Sequence, residues 1–521
     1  MADAHVLVLE DDPMWQRDVS EVLQPIAASI HTAGALVEAE SLLQTCYFNV
    51  AIVDWSLVLG NARDDQGAQF MQMLRTYDLT DTVRLIVLSA YPSNERMRAS
   101  FREFKVVDFL EKRSFDADVL LQTALDALAQ NHLDHDLEIE IEGDNGDLRR
   151  LWEDFTWARR EPSEPLAAEL YDLLRRVLPD ATRLFIQKMQ AGQSGAGVLR
   201  VQPYFDAQAG VPVVVKFGKK DKIRQEHTNF HQHIENFLGP YAGVQLTCEL
   251  GRVLGVIRYQ FIGAELPDVS DFARFYRRHA AEPIRHALDN LFSVTCARWY
   301  GNQEMPRQRR DLVEMYTEGL RIDWAEVWRG VQQLGIDPES AQLTFAGVAG
   351  ALPNPKRWLA QRDNRLYFTV VRTVTHGDLN EHNILVTEDE RTWLIDFYRT
   401  GWSHILRDAV VLETAIKFNL AENKDINVFH DLDAVLLRQT RLDHLRIPTG
   451  HAQSKVLTVL AHLRHLAANL NGVNHNMAEY NASLLLATLN LLRFDFMREH
   501  HPLALLSAAH LCQWLENGTQ P

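Results

Sequence analysis

The stretch that decides the fold of the first domain is His5–Pro13, which reads HVLVLEDDP. A short, mostly apolar run is followed directly by three carboxylates, Glu10, Asp11 and Asp12, and then by a proline. Open parallel sheets place their sites at the carboxyl ends of their strands. The stretch therefore predicts a buried strand that ends in an acidic site.

Similar apolar runs recur up to residue 130 and alternate with segments of helical spacing. The predicted strands are His5–Leu9, Val50–Asp54, Val83–Ser89 and Val106–Glu111, and the predicted helices lie near 14–24, 35–45, 67–77, 93–104 and 116–130. Strands that alternate with helices are typical of a parallel, doubly wound α/β sheet. We therefore predict one α/β domain over residues 1–130.

Polar residues stand at the ends of these predicted strands. Asp54 and Ser89 each end a strand, and Lys112 follows the last one. Crowded carboxylates repel one another unless a hard cation lies among them, and Mg²⁺ prefers oxygen ligands, so Glu10, Asp11 and Asp54 are candidate ligands. A carboxylate in such a site can attack a phosphodonor and become an aspartyl phosphate. Lys112 and Ser89 would then bind the phosphoryl oxygens.

In these residues the chain resembles the response-regulator receiver family. HVLVLEDDP is similar to the family's acidic strand, AIVDW to its phosphoacceptor strand, VLSA to its hydroxyl strand and DFLEKRS to its lysine strand. The resemblance implies a flavodoxin-like, five-stranded parallel sheet with helices on both faces. It implies phosphorylation of Asp54, with the Ser56 carbonyl as a further Mg²⁺ ligand. It also implies that Ser89 is the switching hydroxyl and Phe109 the rotating aromatic residue.

Two features depart from the receiver pattern. The loop after Asp54, SLVLGNARDDQGAQ, is longer than usual and brings in Asp64 and Asp65. Arg113 follows Lys112 where proline is common. Neither change removes a chemical group from the site. The implied phosphodonor is a histidine kinase or a phosphotransfer protein, and the implied outputs include a phosphorylation-dependent homodimer.

The segment 131–150 is polar and acidic and ends in glycines, which predicts a linker with room for a short strand at Leu137–Ile141. From about 182 to 262 the pattern favours strands, with one helix near 222–238. Beyond residue 265 it is mostly helical. A small sheet lobe (151–265) followed by a large helical lobe (266–521) is the order expected of a bilobal α+β kinase-like fold.

A second group of polar residues lies at 374–398, in VTHGDLNEHNIL and WLIDF. Phosphoryl transfer needs a carboxylate near the acceptor hydroxyl and ligands for the metal on the nucleotide phosphates. Asp378 is the candidate for the first role, and Asn383 and Asp396 are candidates for the second. The spacing of His376, Asp378 and His382 fits no common zinc pattern, and we expect His376 to orient the loop.

The upstream lobe offers groups for nucleotide phosphates. Gly192, Gly195 and Gly197 lie between two predicted strands, where small residues let backbone approach phosphates. Lys216 lies in the apolar strand VPVVVKFG, where burial of an unpaired ammonium is costly. A phosphate and a helix glutamate would offset that cost. Glu226 and Glu235 are both candidates, and Glu226 is the preferred one.

Over about residues 180–420 the chain resembles the aminoglycoside phosphotransferase and choline kinase superfamily, most clearly at 374–398. The resemblance implies ATP and Mg²⁺ as cofactors and an unknown acceptor hydroxyl on a small molecule or a protein. It implies that Asp378 is the catalytic residue, that Asn383 and Asp396 bind Mg²⁺ and that Lys216 contacts ATP. It also implies that Asp408 braces the catalytic loop.

The composition excludes several classes of function. The net charge of -17 argues against nucleic acid as a partner, because nucleic-acid binding requires a basic face. No apolar run approaches the length of a membrane span, and no secretory signal is visible at the start. The four cysteines form no CxxC pair. We expect a cytoplasmic protein that binds neither nucleic acid nor membrane.

These observations lead to two hypotheses. In the first, the protein is a two-component response regulator, phosphorylated on Asp54, that controls an ATP-dependent phosphotransferase. In the second, the kinase-like part is a nucleotide-binding scaffold or pseudokinase that assembles a signalling or conflict complex without catalysis. Fold analogy does not decide between an active and an inactive kinase-like domain.

Overall fold

The computed structural model describes residues 3–58, 64–90, 93–143, 146–153, 155, 157–189, 195–237, 244–261, 269–361, 365–422, 424–473, 475 and 477–517. The chain divides into two compact units. The first comprises Met1–Gln225 and Gln245–Gln260, and the second comprises Glu226–Val244 and Phe261–Pro521. No helix in these described ranges is both long enough and apolar enough to cross a membrane.

The first unit begins with a five-stranded sheet and five helices. The strands are β1 (Ala4–Leu9), β2 (Ala27–Ala33), β3 (Val50–Asp54), β4 (Arg84–Ser89) and β5 (Asp108–Glu111); the helices are α1 (Pro13–Leu23), α2 (Leu36–Thr45), α3 (Gln66–Thr76), α4 (Asn94–Glu103) and α5 (Ala117–Ala129). All neighbouring strands are parallel, in the order β2-β1-β3-β4-β5. This order confirms the predicted flavodoxin-like receiver fold.

Local chemistry explains the boundaries of these elements. The Asp12 carboxylate accepts a hydrogen bond from the backbone N–H of Met14, and Pro13 occupies the first helical position, so α1 begins directly after the acidic stretch. Asp116 caps α5 in the same way. Every residue of β3 is buried, as expected of a strand covered by helices on both faces.

The remainder of the first unit is built around a seven-stranded sheet. Its strands are β6 (Glu138–Ile141), β7 (Arg183–Lys188), β8 (Gly197–Phe205), β9 (Gln208–Ala209), β10 (Val213–Lys219), β11 (Val244–Leu250) and β12 (Leu254–Phe261). They run in the order β11-β12-β10-β8-β7-β6, and β9 pairs with β8. Helix α6 (Ser163–Val177) packs its leucines into the core of this sheet. Helix α7 (Lys220–His233) follows β10, and its residues from Glu226 onward belong to the second unit.

The segment predicted as an acidic linker contributes to this sheet. Strand β6 pairs in parallel with β7, and Leu137, Ile141 and Leu148 are buried in the same core. The acidic residues of β6 alternate with isoleucines, so one face of this edge strand is apolar. The short strand allowed at 137–141 is therefore present, and the segment is more than a connector.

The second unit is mainly helical. Its helices are α8 (Phe272–Arg278), α9 (Ala281–Asn290), α10 (Ala297–Gly301), α11 (Leu312–Leu320), α12 (Trp324–Gln332), α13 (Pro355–Ala360), α14 (Arg407–Ala415), α15 (Ile426–Leu437), α16 (Ser454–Ala468), α17 (Met477–Leu491) and α18 (His501–Asn517). Its short strands are β13 (Ser270–Asp271), β14 (Gln308–Asp311), β15 (Gln342–Leu343), β16 (Leu352–Pro353), β17 (Tyr367–Val370), β18 (Arg372–Thr375), β19 (Ile384–Val386), β20 (Thr392–Leu394) and β21 (Gly401–His404).

A buried ion pair joins three helices of this unit. The guanidinium of Arg464 on α16 donates two hydrogen bonds to the Glu413 carboxylate on α14, at 2.9 and 2.6 Å. The hydroxyl of Tyr480 on α17 donates a third, at 2.6 Å. Because the charges are paired and hydrogen-bonded, they are tolerated in the core between these helices.

Candidate functional site

Three carboxylates meet at the carboxyl edge of the receiver sheet. Glu10 and Asp11 follow β1, and Asp54 ends β3, the strand that pairs with β1 in parallel. One carboxylate oxygen from each lies within 4.8 Å of the others. Glu10 and Asp54 are buried and Asp11 is half-buried. The site lies where the strand order reverses between β1 and β3, the usual position of ligands in doubly wound sheets.

Lys112 neutralises part of this negative charge. Its ammonium lies 2.6 Å from Oδ2 of Asp54 and 2.6 Å from Oε2 of Glu10. The same ammonium lies 5.2 Å from the ring centre of Trp15, on the first turns of α1. The sequence analysis did not identify Trp15; its position just after the acidic stretch was the available signal. The four charged side chains and this aromatic residue form one compact cluster.

Burial and charge change the acidity of these groups in opposite directions. Burial raises the pKa of Glu10 to about 7, against the opposing effect of Lys112, and the nearby charge of Asp54 adds to the rise. Burial also raises the pKa of Asp54, although Lys112 favours its charged form. For Lys112 burial alone would lower the pKa, but the hydrogen bonds to Asp54 and Glu10 outweigh burial and raise it. Burial therefore disfavours the charged forms of the two carboxylates, and Lys112 partly offsets this effect.

The remaining predicted receiver residues lie next to Asp54 in the chain or on the strands β4 and β5. The backbone N–H of Ser56 donates to Oδ1 of Asp54 at 3.2 Å. Ser89 is fully buried at the end of β4, the strand paired with β3. Phe109 is buried on β5, opposite Val87 of β4. These predicted residues thus lie at the same sheet edge or on the strands that form it.

The long loop after Asp54 is held from both ends. The Asp64 carboxylate accepts a hydrogen bond from the backbone N–H of Leu57 at 2.6 Å. Gly67, at the start of α3, has no room for a side chain, because a Cβ there would lie 2.3 Å from the backbone oxygen of Asp54. Only a glycine at position 67 therefore allows α3 to begin this close to the acidic site.

The donor set at this edge fits a hard divalent cation. Carboxylate oxygens of Glu10, Asp11 and Asp54 are within reach of one ion, and such oxygens are the ligands that Mg²⁺ prefers. Among the described residues no other group of three or more histidine, cysteine, aspartate or glutamate ligands comes as close together.

Asp378 and Asn383 of the second predicted group lie on the loop between β18 and β19. The side-chain amide of Asn383 donates to the backbone oxygen of Asp378 at 2.8 Å, which ties the two ends of the loop together. The Asp378 side chain itself is 38% exposed. Gly377 has φ +85, and a Cβ there would lie 2.2 Å from the backbone oxygen of Arg399. The loop therefore presents the Asp378 carboxylate to solvent from a rigid base.

Asp408, at the start of α14, braces this loop. Its two carboxylate oxygens accept hydrogen bonds from the backbone N–H groups of His376 and Gly377, both at 2.8 Å. Oδ2 also accepts a hydrogen bond from the Tyr300 hydroxyl at 3.1 Å. The imidazole Nε2 of His376 lies 2.9 Å from the backbone oxygen of Ile395. His376 and Asp408 thus connect the loop to its neighbours.

Asp396 stands two residues after the end of β20, in the left-handed conformation at φ 68. The next backbone N–H, that of Phe397, donates to the carboxylate of Glu226 on α7 at 3.1 Å. Asn229, one turn later on α7, donates to the backbone oxygen of Phe397 at 3.1 Å. The structure therefore brings Glu226 to the Asp396 segment, a partner that the sequence analysis did not foresee.

The other predicted nucleotide-binding residues belong to the first unit. Lys216 is buried on β10, opposite Val198 of β8 and Ile257 of β12. Gly195 has φ +68, and Gly197 begins β8. Gly192 lies outside the described residues.

The sequence analysis did not identify one basic residue that lies beside Asp378. The Nε of Arg399 lies 4.0 Å from Oδ2 of Asp378, and another nitrogen of its guanidinium donates to the backbone oxygen of Leu320 at 2.7 Å. Arg399 follows Asp396 by three residues, and this short spacing was the available signal. The carboxylate of Asp378 therefore has a cation at its side.

Comparison with protein families gives a match over more than half of the chain. The model of ternary complex associated domain 9 matches residues 181–327 and 326–493. The chain belongs to the ternary complex associated domain 9 family. The matched region of ternary complex associated domain 9 contains Lys216, Glu226 and the whole segment 374–398. No curated protein matches the chain.

Solved structures match about a quarter of this chain. A signal receiver domain of an HD domain-containing protein from Pseudomonas fluorescens Pf-5 is 18% identical, with 25% of this chain and 98% of that chain covered and a TM-score of 0.22. A receiver domain of a putative Luxo repressor protein from Vibrio parahaemolyticus is 19% identical, covering 25% and 92%, with a TM-score of 0.22. A response regulator from Thermotoga maritima is 20% identical, covering 24% and 96%, with a TM-score of 0.21.

Proposed function

We propose that this protein is a two-component response regulator that is phosphorylated on Asp54. The observation that carries the proposal is the contact of one ammonium, that of Lys112, with both Asp54 and Glu10 at 2.6 Å. A buried lysine held between two carboxylates is placed to bind a phosphoryl group that arrives on Asp54. The phosphodonor would be a histidine kinase, a phosphotransfer protein or a small acyl phosphate.

The chemistry follows from the groups at this edge. An oxygen of Asp54 attacks phosphorus, the new P–O bond forms, and the bond from phosphorus to the donor's leaving group breaks. Lys112 then pairs with the phosphoryl oxygens in place of a carboxylate oxygen. Mg²⁺ held by Glu10, Asp11, Asp54 and the Ser56 carbonyl would supply the positive charge that lets an anionic donor approach. The added charge would draw the buried hydroxyl of Ser89 inward, and the ring of Phe109 would follow. Phosphorylation would thereby change the conformation of the α4–β5 face.

A direct experiment tests this first part. The purified protein is treated with an acyl phosphate and Mg²⁺, and the intact mass is measured. One added phosphoryl group is expected on the wild type and none on Asp54→Asn, whereas Asp64→Asn, a change at a neighbouring loop carboxylate, keeps the label. Equal labelling of the wild type and Asp54→Asn would refute phosphorylation at this residue.

We further propose that the output is a kinase-like phosphotransferase. Asp378 would orient the acceptor hydroxyl, and Asn383 and Asp396 would hold Mg²⁺ with the ATP phosphates. Lys216, Gly195 and Gly197 would contact those phosphates. The proposal is supported by the braced loop, in which Asp408 accepts two backbone N–H groups while Asp378 stays open to solvent.

ADP formation from ATP and Mg²⁺ tests this second part. The assay compares the wild type with Asp378→Ala, with and without acyl-phosphate treatment. We expect turnover that needs Asp378 and that changes when Asp54 is phosphorylated. ATP binding without turnover in the presence of a broad acceptor set would refute the enzyme and leave the second candidate.

The second candidate is a nucleotide-binding scaffold that assembles a signalling or conflict complex. The description of the family, a domain associated with a ternary complex, favours it. A scaffold would capture its partners as well with Asp378→Ala as with the wild type. An enzyme whose product recruits the partner would lose capture in the same variant. A pull-down from cells that express tagged wild-type or Asp378→Ala protein separates the two.

A further inference from the structure

An open cavity of about 790 Å³ lies in the second unit between α15 and α18. Its volume falls within the range of small-molecule sites, about 300 to 1,000 Å³. None of its lining residues belongs to the loop of Asp378 or to the receiver. The cavity is therefore independent of both sites described above.

The lining of this cavity is basic and aromatic. Its ionisable residues are His430, Arg438, Arg441, His475 and His510, and one wall is formed by Trp514. No aspartate or glutamate is among the lining residues that the structure describes. Because the chain has a net charge of -17, its surface is on average acidic, and a concave surface without a carboxylate differs from that average. Such a lining favours an anionic ligand.

A buried network fixes two histidines of the cavity, His430 and His510. Nδ1 of His510 donates to the carboxylate of Asp433 at 3.2 Å, and the ammonium of Lys417 pairs with the same carboxylate at 2.6 Å. Nε2 of His510 lies 3.1 Å from Nδ1 of His430. Lys417, Asp433 and His510 are all buried. The chain of contacts therefore starts in the core and ends at His430 on the cavity wall.

The two arginines of the cavity differ in their partners. Arg441 pairs with Asp443 through two hydrogen bonds, at 3.1 and 3.0 Å, so its charge is already compensated. Arg438 is exposed at the end of α15, and its guanidinium contacts no carboxylate in the part of the chain that the structure describes. Arg438 is thus the cation that a ligand can engage in the fork geometry typical of phosphate binding.

We propose that this cavity binds a nucleotide-like ligand, in which a planar heterocycle carries a phosphate. The phosphate would lie beside Arg438 and the histidine pair His430–His510, and the ring would lie against Trp514. This site is separate from the proposed ATP site, because it shares no residue with it.

Calorimetric titration of the full-length protein with AMP, without Mg²⁺, tests the proposal. We expect Arg438→Glu and Trp514→Ala to weaken AMP binding by about tenfold or more. Arg446→Glu, at an exposed arginine outside the lining, and Lys216→Ala, in the proposed ATP site, should leave AMP affinity unchanged. Trp514→Phe should retain binding, which separates loss of the ring contact from loss of folding.

Three outcomes would overturn the proposal. The first is no AMP binding at millimolar concentration, and the second is binding that Lys216→Ala removes and Arg438→Glu does not. The third is equal affinity for AMP and adenosine, since the phosphate would then contribute nothing. Circular dichroism of each variant checks that the helices are intact.

Discussion

The side-chain amide of Asn49 donates a hydrogen bond to the carboxylate of Asp172 at 2.8 Å, although the residues are 123 positions apart. Asn49 precedes β3 at the amino-terminal edge of the receiver sheet, and Asp172 lies on α6. The hydroxyl of Tyr47 donates to the same carboxylate oxygen at 2.9 Å, and the guanidinium of Arg175 lies 3.5 Å from the other oxygen. The receiver sheet therefore contacts α6 through its amino-terminal edge, which is opposite to the edge that carries Asp54.

Removal of the Asp172 carboxylate should destabilise the first unit. Asp172→Ala removes an acceptor shared by the Asn49 amide, the Tyr47 hydroxyl and the Arg175 guanidinium, which costs about 3 kcal/mol. The Asn49 amide and the Arg175 guanidinium keep hydrogen bonds to backbone oxygens. Chemical denaturation should show this loss. Asp18→Ala, at an exposed aspartate of α1, should leave the unfolding free energy within about 0.5 kcal/mol of the wild type. Equal midpoints for Asp172→Ala and Asp18→Ala would contradict the role of this contact.

Glu169 should make stability depend on pH. Its Oε1 accepts the backbone N–H groups of Val253 and Leu254 at 2.7 and 2.8 Å, and complete burial raises its pKa from 4.5 to about 7. The folded state therefore binds a proton more tightly than the unfolded state. This stabilising contribution is fully present below pH 4.5 and is lost as the pH rises to about 7.

Glu169→Gln isolates this effect, because the amide oxygen can still accept both N–H groups. Relative to the variant, the wild type should lose up to about 3 kcal/mol of unfolding free energy between pH 4.5 and 7 and no more above it. Denaturant unfolding at a series of pH values measures the difference. A constant difference across this range would show that Glu169 keeps its ordinary pKa in the folded protein.

Asp408 should be needed for the conformation of the 376–383 loop. Asp408→Ala removes the acceptor of two buried backbone N–H groups and of the Tyr300 hydroxyl, so the unfolding free energy should fall by about 2 to 4 kcal/mol. Asp408→Asn keeps one carbonyl oxygen and should lose less. Under the proposed function, ATP turnover should fall in the same order. Asp431→Ala, at an exposed aspartate of α15, is the matched control.

The buried pair of Lys417 and Asp433 gives a prediction with a defined sign. Burial alone would raise the pKa of Asp433, but the charges of Lys417 and His510 hold it well below its ordinary value of 3.8. The stabilisation is therefore present above pH 3.8 and is lost as the pH falls below it. Asp433→Ala should destabilise the protein by about 3 to 5 kcal/mol at neutral pH, because it leaves the Lys417 ammonium buried without its partner.

A double variant provides the internal control for this pair. Lys417→Met combined with Asp433→Leu removes both charges and should destabilise the protein less than Asp433→Ala alone. Thermal unfolding of the three proteins at neutral pH makes the comparison. If the double variant were less stable than Asp433→Ala, the unpaired ammonium of Lys417 would not be the cause of the loss in Asp433→Ala.

Much of the receiver could be predicted from local patterns. The strands that end at Asp54 and Ser89 are continuous apolar runs, because parallel strands covered on both faces exclude polar residues. The edge strand Ala27–Ala33 was missed, because most of its residues are only half-buried and its sequence carries no strong apolar pattern. The strand at Glu138–Ile141 was given only as an option within a linker, since its register depends on a partner more than forty residues away.

In the second unit the sequence predicted roles for Asp378, Asn383 and Asp408, but it did not predict which residues from other segments lie beside this loop. Arg399 approaches Asp378, and Glu226 reaches the backbone of Phe397, through contacts between segments that are distant in sequence or bent back by turns. The basic cavity between α15 and α18 carries no motif, because its residues come from two helices and the loops around 440 and 475.

The sequence by itself determined the parallel receiver sheet and the order of its acidic, hydroxyl and lysine groups. The apolar pattern of a buried strand and the order of polar groups along the chain can both be recognised within short segments, and they were sufficient for this prediction. Tertiary structure alone decided that Lys112 contacts both Glu10 and Asp54, that Asn49 meets Asp172, and that His510 rests on Asp433. Each of these contacts joins side chains from separate elements, and their energies depend on distance and burial, which exist only after the chain has packed.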